Sequence, residues 1–208
     1  ALVGGDTSAS PAGWIVNVTL LGEMTGAPRL RSGARPGDVI AVVGTLGRAA
    51  AGLAVLEAER RPDLPGDVLA EVEQAHLRPV ARVAEGKWLG ARDAVHAMID
   101  LSDGLATDLG HIATESGVAA RVALPRLPVA PSARAVAQAL GLDALDLATT
   151  GGEDYELLFT MERSAAEAIA TGLGSATGAA VTVIGEISTG TPGVQFIDAA
   201  GRAVDIGQ

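Results

Sequence analysis

The chain has 208 residues, 48% of them apolar, a mean hydropathy of +0.32 and a formal net charge of −10, with one lysine, five aromatic residues and no cysteine. That apolar content is enough for a full core, and the lack of cysteine excludes disulfides, thiolate zinc sites and cysteine nucleophiles. The acidic balance and scarce aromatics argue against a nucleic-acid partner, and no apolar run approaches the ~20 residues that cross a bilayer, so neither nucleic acid nor membrane is an expected partner.

In chain order, Leu2-Val3-Gly4-Gly5-Asp6-Thr7 is an apolar run followed by glycines and a carboxylate. Residues 14–22 alternate apolar side chains (Trp14, Val16, Val18, Leu20), which predicts a strand. Residues 23–37 carry Gly26, Pro28, Gly33, Pro36 and Gly37, the turn chemistry of a connection between domains. A strand over 38–43 and an alanine- and leucine-rich helix over 46–61, stopped near Pro62, follow. A second helix is predicted over 66–77, with Asp67 in its first turn, and residues 78–90 read as irregular. Residues 95–101 form a short apolar strand. Beyond it Leu105, Leu109 and Ile112 recur at i, i+4 and i+7, the stripe of a helix. Strands over 117–124, 155–160, 180–187 and 193–197 alternate with helices over 132–140 and 164–173, the strand at 193–197 closing the chain. The pattern predicts an α/β (or α+β) sandwich, one mixed sheet covered by helices.

Chemistry concentrates where the strand at 95–101 meets its helix. Ile99-Asp100-Leu101-Ser102-Asp103-Gly104-Leu105 sets two carboxylates and a hydroxyl at a helix N-terminus. That end attracts anions, so a divalent cation between the carboxylates and a phosphate would reconcile the charges. Ser102 also sits where an N-cap belongs, and a cap and a metal site are equally good readings of it. Gly104 leaves room for a ligand to approach the backbone. Gly151-Gly152-Glu153-Asp154-Tyr155-Glu156 brings further acids onto a glycine turn leading into a strand. The single lysine, Lys87, lies outside any Gly-x-x-x-x-Gly-Lys-Ser/Thr frame, so if the chain handles ATP its phosphates must be neutralised by arginines and metal-bound carboxylates. His111 and Asp108 on the helix after Asp103 read mainly as solvated positions, Asp108 also as a supporting acid. His76 reads as a helix C-terminal cation, His96 as packing, Arg78 and Arg82 as surface residues, and Gly44-Thr45-Leu46-Gly47 as a weak anion loop.

The strings Gly4-Gly5-Asp6-Thr7, Asp100-Leu101-Ser102-Asp103-Gly104 and Gly151-Gly152-Glu153-Asp154-Tyr155-Glu156-Leu157-Leu158-Phe159-Thr160, together in one chain, resemble the thiamine-monophosphate kinase family. That family lies in the ATP-dependent superfamily of aminoimidazole ribonucleotide synthetase. Arg31-Ser32-Gly33-Ala34-Arg35-Pro36-Gly37-Asp38 and Gly44-Thr45-Leu46-Gly47 add to the likeness, which runs from Leu2 to about Ile197. The resemblance implies transfer of the γ-phosphoryl of ATP to thiamine monophosphate, giving thiamine diphosphate. It implies Mg²⁺ as cofactor and ATP as co-substrate. Asp6, Asp100 and Asp103 match metal ligands, and Gly5, Asp6, Arg31 and Ser102 match ATP contacts. Glu153 matches a substrate-side residue facing the cationic thiamine. Without the resemblance Arg31 reads equally as a solvated loop arginine and Glu153 as a turn former. No acid–base residue is assigned, because the acceptor phosphate is already an anion.

The resemblance also implies that residues 1–28 are the tail of an N-terminal ATP-binding domain and 29–208 the C-terminal α/β domain. The chain then reads as a fragment, weakly active or inactive alone, of a cytoplasmic homodimer. Two other readings stand beside this one: a sister enzyme such as aminoimidazole ribonucleotide synthetase, and a non-catalytic nucleotide-binding module.

Overall fold

A computed structural model describes residues 4–5, 11–23 and 26–206. Asp6, one of the expected metal ligands, lies outside the described residues.

The organising strand is β1 (Val39–Val43), five consecutive apolar residues that are all buried. A continuous apolar run, rather than an alternating one, is what a strand covered on both faces requires. Ile40 and Val42 face one core and Val39, Ala41 and Val43 the other. The chain continues through helices α1 (Arg48–Glu57), α2 (Gly66–Leu77) and α3 (Val83–Gly90), then strand β2 (Val95–Asp100) and helix α4 (Leu105–Ser116). Next come β3 (Ala119–Ala123), α5 (Pro131–Leu140), α6 (Ala144–Thr149) and β4 (Leu157–Met161). Helix α7 (Ala166–Thr177) and strands β5 (Val181–Ser188), β6 (Gly193–Ile197) and β7 (Ala203–Val204) complete the described chain.

The seven strands form one mixed sheet in the order β2-β4-β1-β5-β3-β6-β7. Only β3 and β6 pair in parallel; the other five pairings are antiparallel. Leu105, Leu109 and Ile112 of α4 sit in the larger core with Val55, Val72 and Val136 of α1, α2 and α5. On the opposite face Leu89 of α3 and Ile169 and Leu173 of α7 pack against Phe159 and Met161 of β4. The predicted α/β sandwich with a mixed, helix-covered sheet is therefore observed, with three layers. Among the described residues no helix is long and apolar enough to cross a membrane.

Four local expectations fail. Residues 14–22 form no strand: Trp14, Val16, Val18 and Leu20 are each at least 74% exposed. An alternating segment becomes a strand only against a partner, and among the described residues it has none. Residues 78–90 are not wholly irregular but contain α3, whose Glu85 and Leu89 are buried despite Gly86 and Gly90. Packing against α7 outweighs two glycines of weak helix propensity. Helix α6 and the two-residue β7 were not expected, being too short to carry a period. His96 is not mere packing: its Nδ1 lies 2.9 Å from Asp38 Oδ1 and its Nε2 3.1 Å from Arg35 Nη1. A guanidinium cannot accept, so Nε2 accepts and Nδ1 carries the proton given to Asp38.

Candidate active site

Strands β2 and β4 pair at one edge of the sheet, and the loops at their adjoining ends run side by side. The first, 101–104, links β2 to α4; the second, 151–156, leads into β4. Three backbone bonds and one strand pairing join β2 and these loops. Glu153 N–H donates to Ser102 O (2.8 Å) and Tyr155 N–H to Leu101 O (2.8 Å). Leu101 N–H in turn donates to Glu156 O (2.9 Å), and Asp100 pairs with Leu157 across the strands. Two glycines permit this closeness. A Cβ on Gly152 would lie 2.5 Å from Ser102 O, and one on Gly104 (φ +104°) would lie 3.1 Å from the Thr150 carbonyl. The space a Gly104 side chain would take is thus held by the chain's own backbone at Thr150 and Gly151. Glu153 (φ 66°) and Tyr155 (φ 49°) are the non-glycine residues held at positive φ among the described residues. Such strain persists only where surroundings over-determine it, and it gathers at functional loops.

Asp100 and Asp103 are both exposed at the mouth of this double loop, with Ser102 half-buried between them. Ser102 does not cap α4. The N-cap position is Gly104, and the amide of Asp103 is held instead by the carboxylate of Asp108, one turn into the helix (3.1 Å). Asp108 is 1% exposed. Burial raises its pKa, the amides of Asp103 and Gly104 oppose that, and the charges of Asp103 and Asp100 add to it. Ligand atoms of Asp103, Asp108 and His111 lie within 4.8 Å of one another. Sequence reasoning treated Asp108 and His111 as mainly solvated positions. The signal that could have joined them to Asp103 is their spacing: five and eight residues along, they share one side of the first turns of α4.

The other expected residues are placed less compactly. Gly5 is exposed, and among the described residues nothing comes within 4 Å of where a Cβ would stand on it. Arg31 sits in a short 3₁₀ turn, Arg31–Gly33, and its Nε meets Glu115 Oε1 at 3.2 Å. That contact lies at the far end of α4, about 16 Å along the axis from Gly104 at 1.5 Å per residue. A groove of about 450 Å³ runs between the two ends, lined by Thr107, His111, Thr114, Glu115 and Thr150. Glu153 projects from the second loop and its Oε2 lies 3.2 Å from His76 Nδ1 on α2.

The rest of the second loop is occupied structurally. Asp154 accepts from the Gly47 (2.6 Å) and Ala49 (3.1 Å) amides, so its own carboxylate fills the helix N-terminus after Gly44-Thr45-Leu46-Gly47. Burial raises its pKa against those hydrogen bonds. Glu156, 1% exposed, binds Arg82 through two bonds and Arg48 through one, so Arg82 is not the surface residue its sequence context suggested.

The sequence pattern of the family described as AIR synthase related protein, C-terminal domain, matches residues 35–197. Among curated proteins, the thiamine-monophosphate kinase of Salmonella typhimurium is 41% identical over 200 residues, covering 94% of this chain and 58% of that protein. The thiamine-monophosphate kinase of Mycobacterium tuberculosis is 44% identical over 159 residues, 76% of this chain and 45% of that protein. The chain thus spans about half to three-fifths of the length of these relatives. Among solved structures, thiamine-monophosphate kinase from Stenotrophomonas maltophilia superposes with a TM-score of 0.72 at 37% identity, over 85% of this chain and 54% of that one. A structure described as AaThiL complexed with AMPPCP and TMP superposes with a TM-score of 0.69 at 32% identity, over 84% of this chain and 51% of that one.

Proposed function

The chain belongs to the AIR synthase related proteins, and from that premise we propose that it is the catalytic C-terminal part of a thiamine-monophosphate kinase. The reaction is transfer of the γ-phosphoryl of ATP to the phosphate of thiamine monophosphate, giving ADP and thiamine diphosphate. The observation that carries the reading is the double loop, which sets Asp100, Ser102 and Asp103 beside Glu153 through the Glu153–Ser102 and Tyr155–Leu101 backbone bonds. The relative described with AMPPCP and TMP supports the same pair of ligands.

In this reading the nucleotide lies in the groove along α4, between Asp103 and Arg31. The groove length suits that placement. Ser102 donates its hydroxyl to a phosphate oxygen, and Arg31 offers a planar guanidinium once Glu115 releases it. Glu153, supported by His76, faces the cationic thiamine. The acceptor phosphate is already ionised, so the chain positions two anions in line and removes no proton.

The donor set fits Mg²⁺. Asp100, Asp103 and buried Asp108 supply hard oxygens, whereas imidazole is a poor Mg²⁺ ligand and His111 is left to donate to phosphate. Bound there with Asp6, Mg²⁺ would supply charge neutralisation between carboxylates and phosphates. Residues 1–28 belong in this reading to the end of an N-terminal ATP-binding domain and 29–208 to the C-terminal domain. The full-length protein is a cytoplasmic homodimer, and this stretch alone turns over weakly or not at all.

The test is turnover by the full-length protein with Mg²⁺-ATP and thiamine monophosphate, beside Asp103→Asn. Thiamine diphosphate from the parent and none from a folded variant supports the reading. Equal turnover by the variant removes Asp103 from the site.

A further inference from the structure

A second cavity, of about 260 Å³, opens between α1, α2 and the segment 78–82, on the other side of the 151–156 loop. Its floor is an ion triad. Glu156, 1% exposed, accepts from Arg82 Nε (2.6 Å) and Nη2 (2.7 Å) and from Arg48 Nη2 (2.8 Å). The carboxylate rests on Gly44, where a Cβ would lie 2.6 Å from its carbon and both oxygens. Arg82 is also paired with Glu85 (3.6 Å), so the charges of the floor are balanced, and what marks the cavity is the guanidinium donors left without an acceptor.

The donor capacity is not spent. Arg48 Nε is buried and has no acceptor among the described residues, and Nη2 makes this side chain's one hydrogen bond there. Arg78 lines the same cavity and is exposed; its backbone N–H donates to Gln74 O (2.9 Å), while its guanidinium has no hydrogen bond or ion pair among the described residues. Both oxygens of Asp154 are taken by the Gly47 and Ala49 amides, Glu85 stands 3.6 Å from Arg82 Nη1, and Glu71 is exposed on α2. Pro79, Val80 and Ala75 give the wall an apolar side.

We propose that this cavity is a binding site for a small phosphate-class oxyanion, gripped by Arg48 and Arg78 over the Arg82–Glu156 floor. It is separate from the carboxylate site, requires no divalent cation, and does not depend on the kinase reading. A phosphate offers several acceptor oxygens to the unspent guanidinium donors, and the apolar wall admits a small organic group attached to it. Its occupant lies against the 151–156 loop that also carries Glu153, so occupancy and the carboxylate site share one element.

The experiment is calorimetric titration of the chain in EDTA with inorganic phosphate and, separately, glycerol 3-phosphate. Saturable one-to-one binding is expected, weakened roughly tenfold in Arg78→Gln and in Arg48→Lys and unchanged in Asp103→Asn, as loss of one charge-assisted bond requires. Arg78 is exposed, so its variant folds even if the Arg48 change perturbs the triad. Tighter binding of glycerol 3-phosphate makes an organic phosphate the occupant, and equal binding makes it the free ion; both uphold the site. The proposal is overturned by absence of saturable binding up to roughly 10 mM. It is equally overturned by binding that ignores both arginine changes, or by binding lost in Asp103→Asn.

Discussion

Replacing Gly152 by alanine tests whether the two loops are zipped together as described. The added Cβ would stand 2.5 Å from Ser102 O, against an ordinary contact of at least 3.4 Å. The obstructing atom is backbone, so the loops must separate by 3.4 − 2.5, about 0.9 Å, since no side chain can swing aside. That movement stretches the 2.8 Å bond from Glu153 N–H to Ser102 O to about 3.7 Å, past hydrogen-bond reach. Losing the bond costs about 1 kcal/mol and the overpacking about 1–3 kcal/mol, roughly 2–4 kcal/mol in all. For a chain of this size the melting temperature should fall by about 4–16 °C in a circular-dichroism melt. Gly110→Ala is the control. Gly110 lies inside α4 with open space around it, so the same added methyl should stabilise by about 0.5–1 kcal/mol. A Gly152→Ala protein melting within about 1 °C of the parent would refute the close apposition of the loops.

Asp108 has a raised pKa, so the folded protein takes up its proton more readily than the unfolded chain, and its contribution to stability is lost as pH climbs from the ordinary carboxyl value through the raised one. Asp108→Asn keeps an acceptor for the Asp103 amide without the charge; in urea titrations its stability minus that of the parent should increase as pH rises from about 4, and a difference that stays flat or falls contradicts the account. Arg82→Ala leaves buried Glu156 with one partner and should cost roughly 3 kcal/mol, whereas no change in urea midpoint would show the triad is loose. Asp154→Ala uncaps α1 and should cost about 1–2 kcal/mol, with faster hydrogen exchange at the Gly47 and Ala49 amides; unchanged exchange there contradicts the cap.

Much of the fold was legible because long elements declare their period. The helix over 66–77 ends where the sequence places it, and the Leu105, Leu109, Ile112 stripe lies in the core as spacing requires. The segment 14–22 shows the limit of alternation, which reports a face to be buried and not the partner that buries it. Helix α3 shows the converse, since Leu89 is held by α7, more than seventy residues later in sequence. At the site, the acids and their joining glycines were visible as motifs. Their division of labour was not. Asp154 and Glu156 look like Glu153 in sequence, yet one caps a helix and the other anchors two arginines from distant segments. Likewise Asp108 displaces Ser102 as the group holding the Asp103 amide, a role set by the left-handed turn at Gly104.

The most direct test of the kinase reading is a ³¹P NMR time course of the full-length protein with Mg²⁺-ATP and thiamine monophosphate. The account predicts that the monophosphate resonance of the thiamine ester gives way to the paired resonances of a diphosphate, matched by ADP and without free phosphate. Conversion of ATP to ADP and inorganic phosphate with the thiamine ester untouched, or no change from a folded protein that binds the nucleotide, would contradict it.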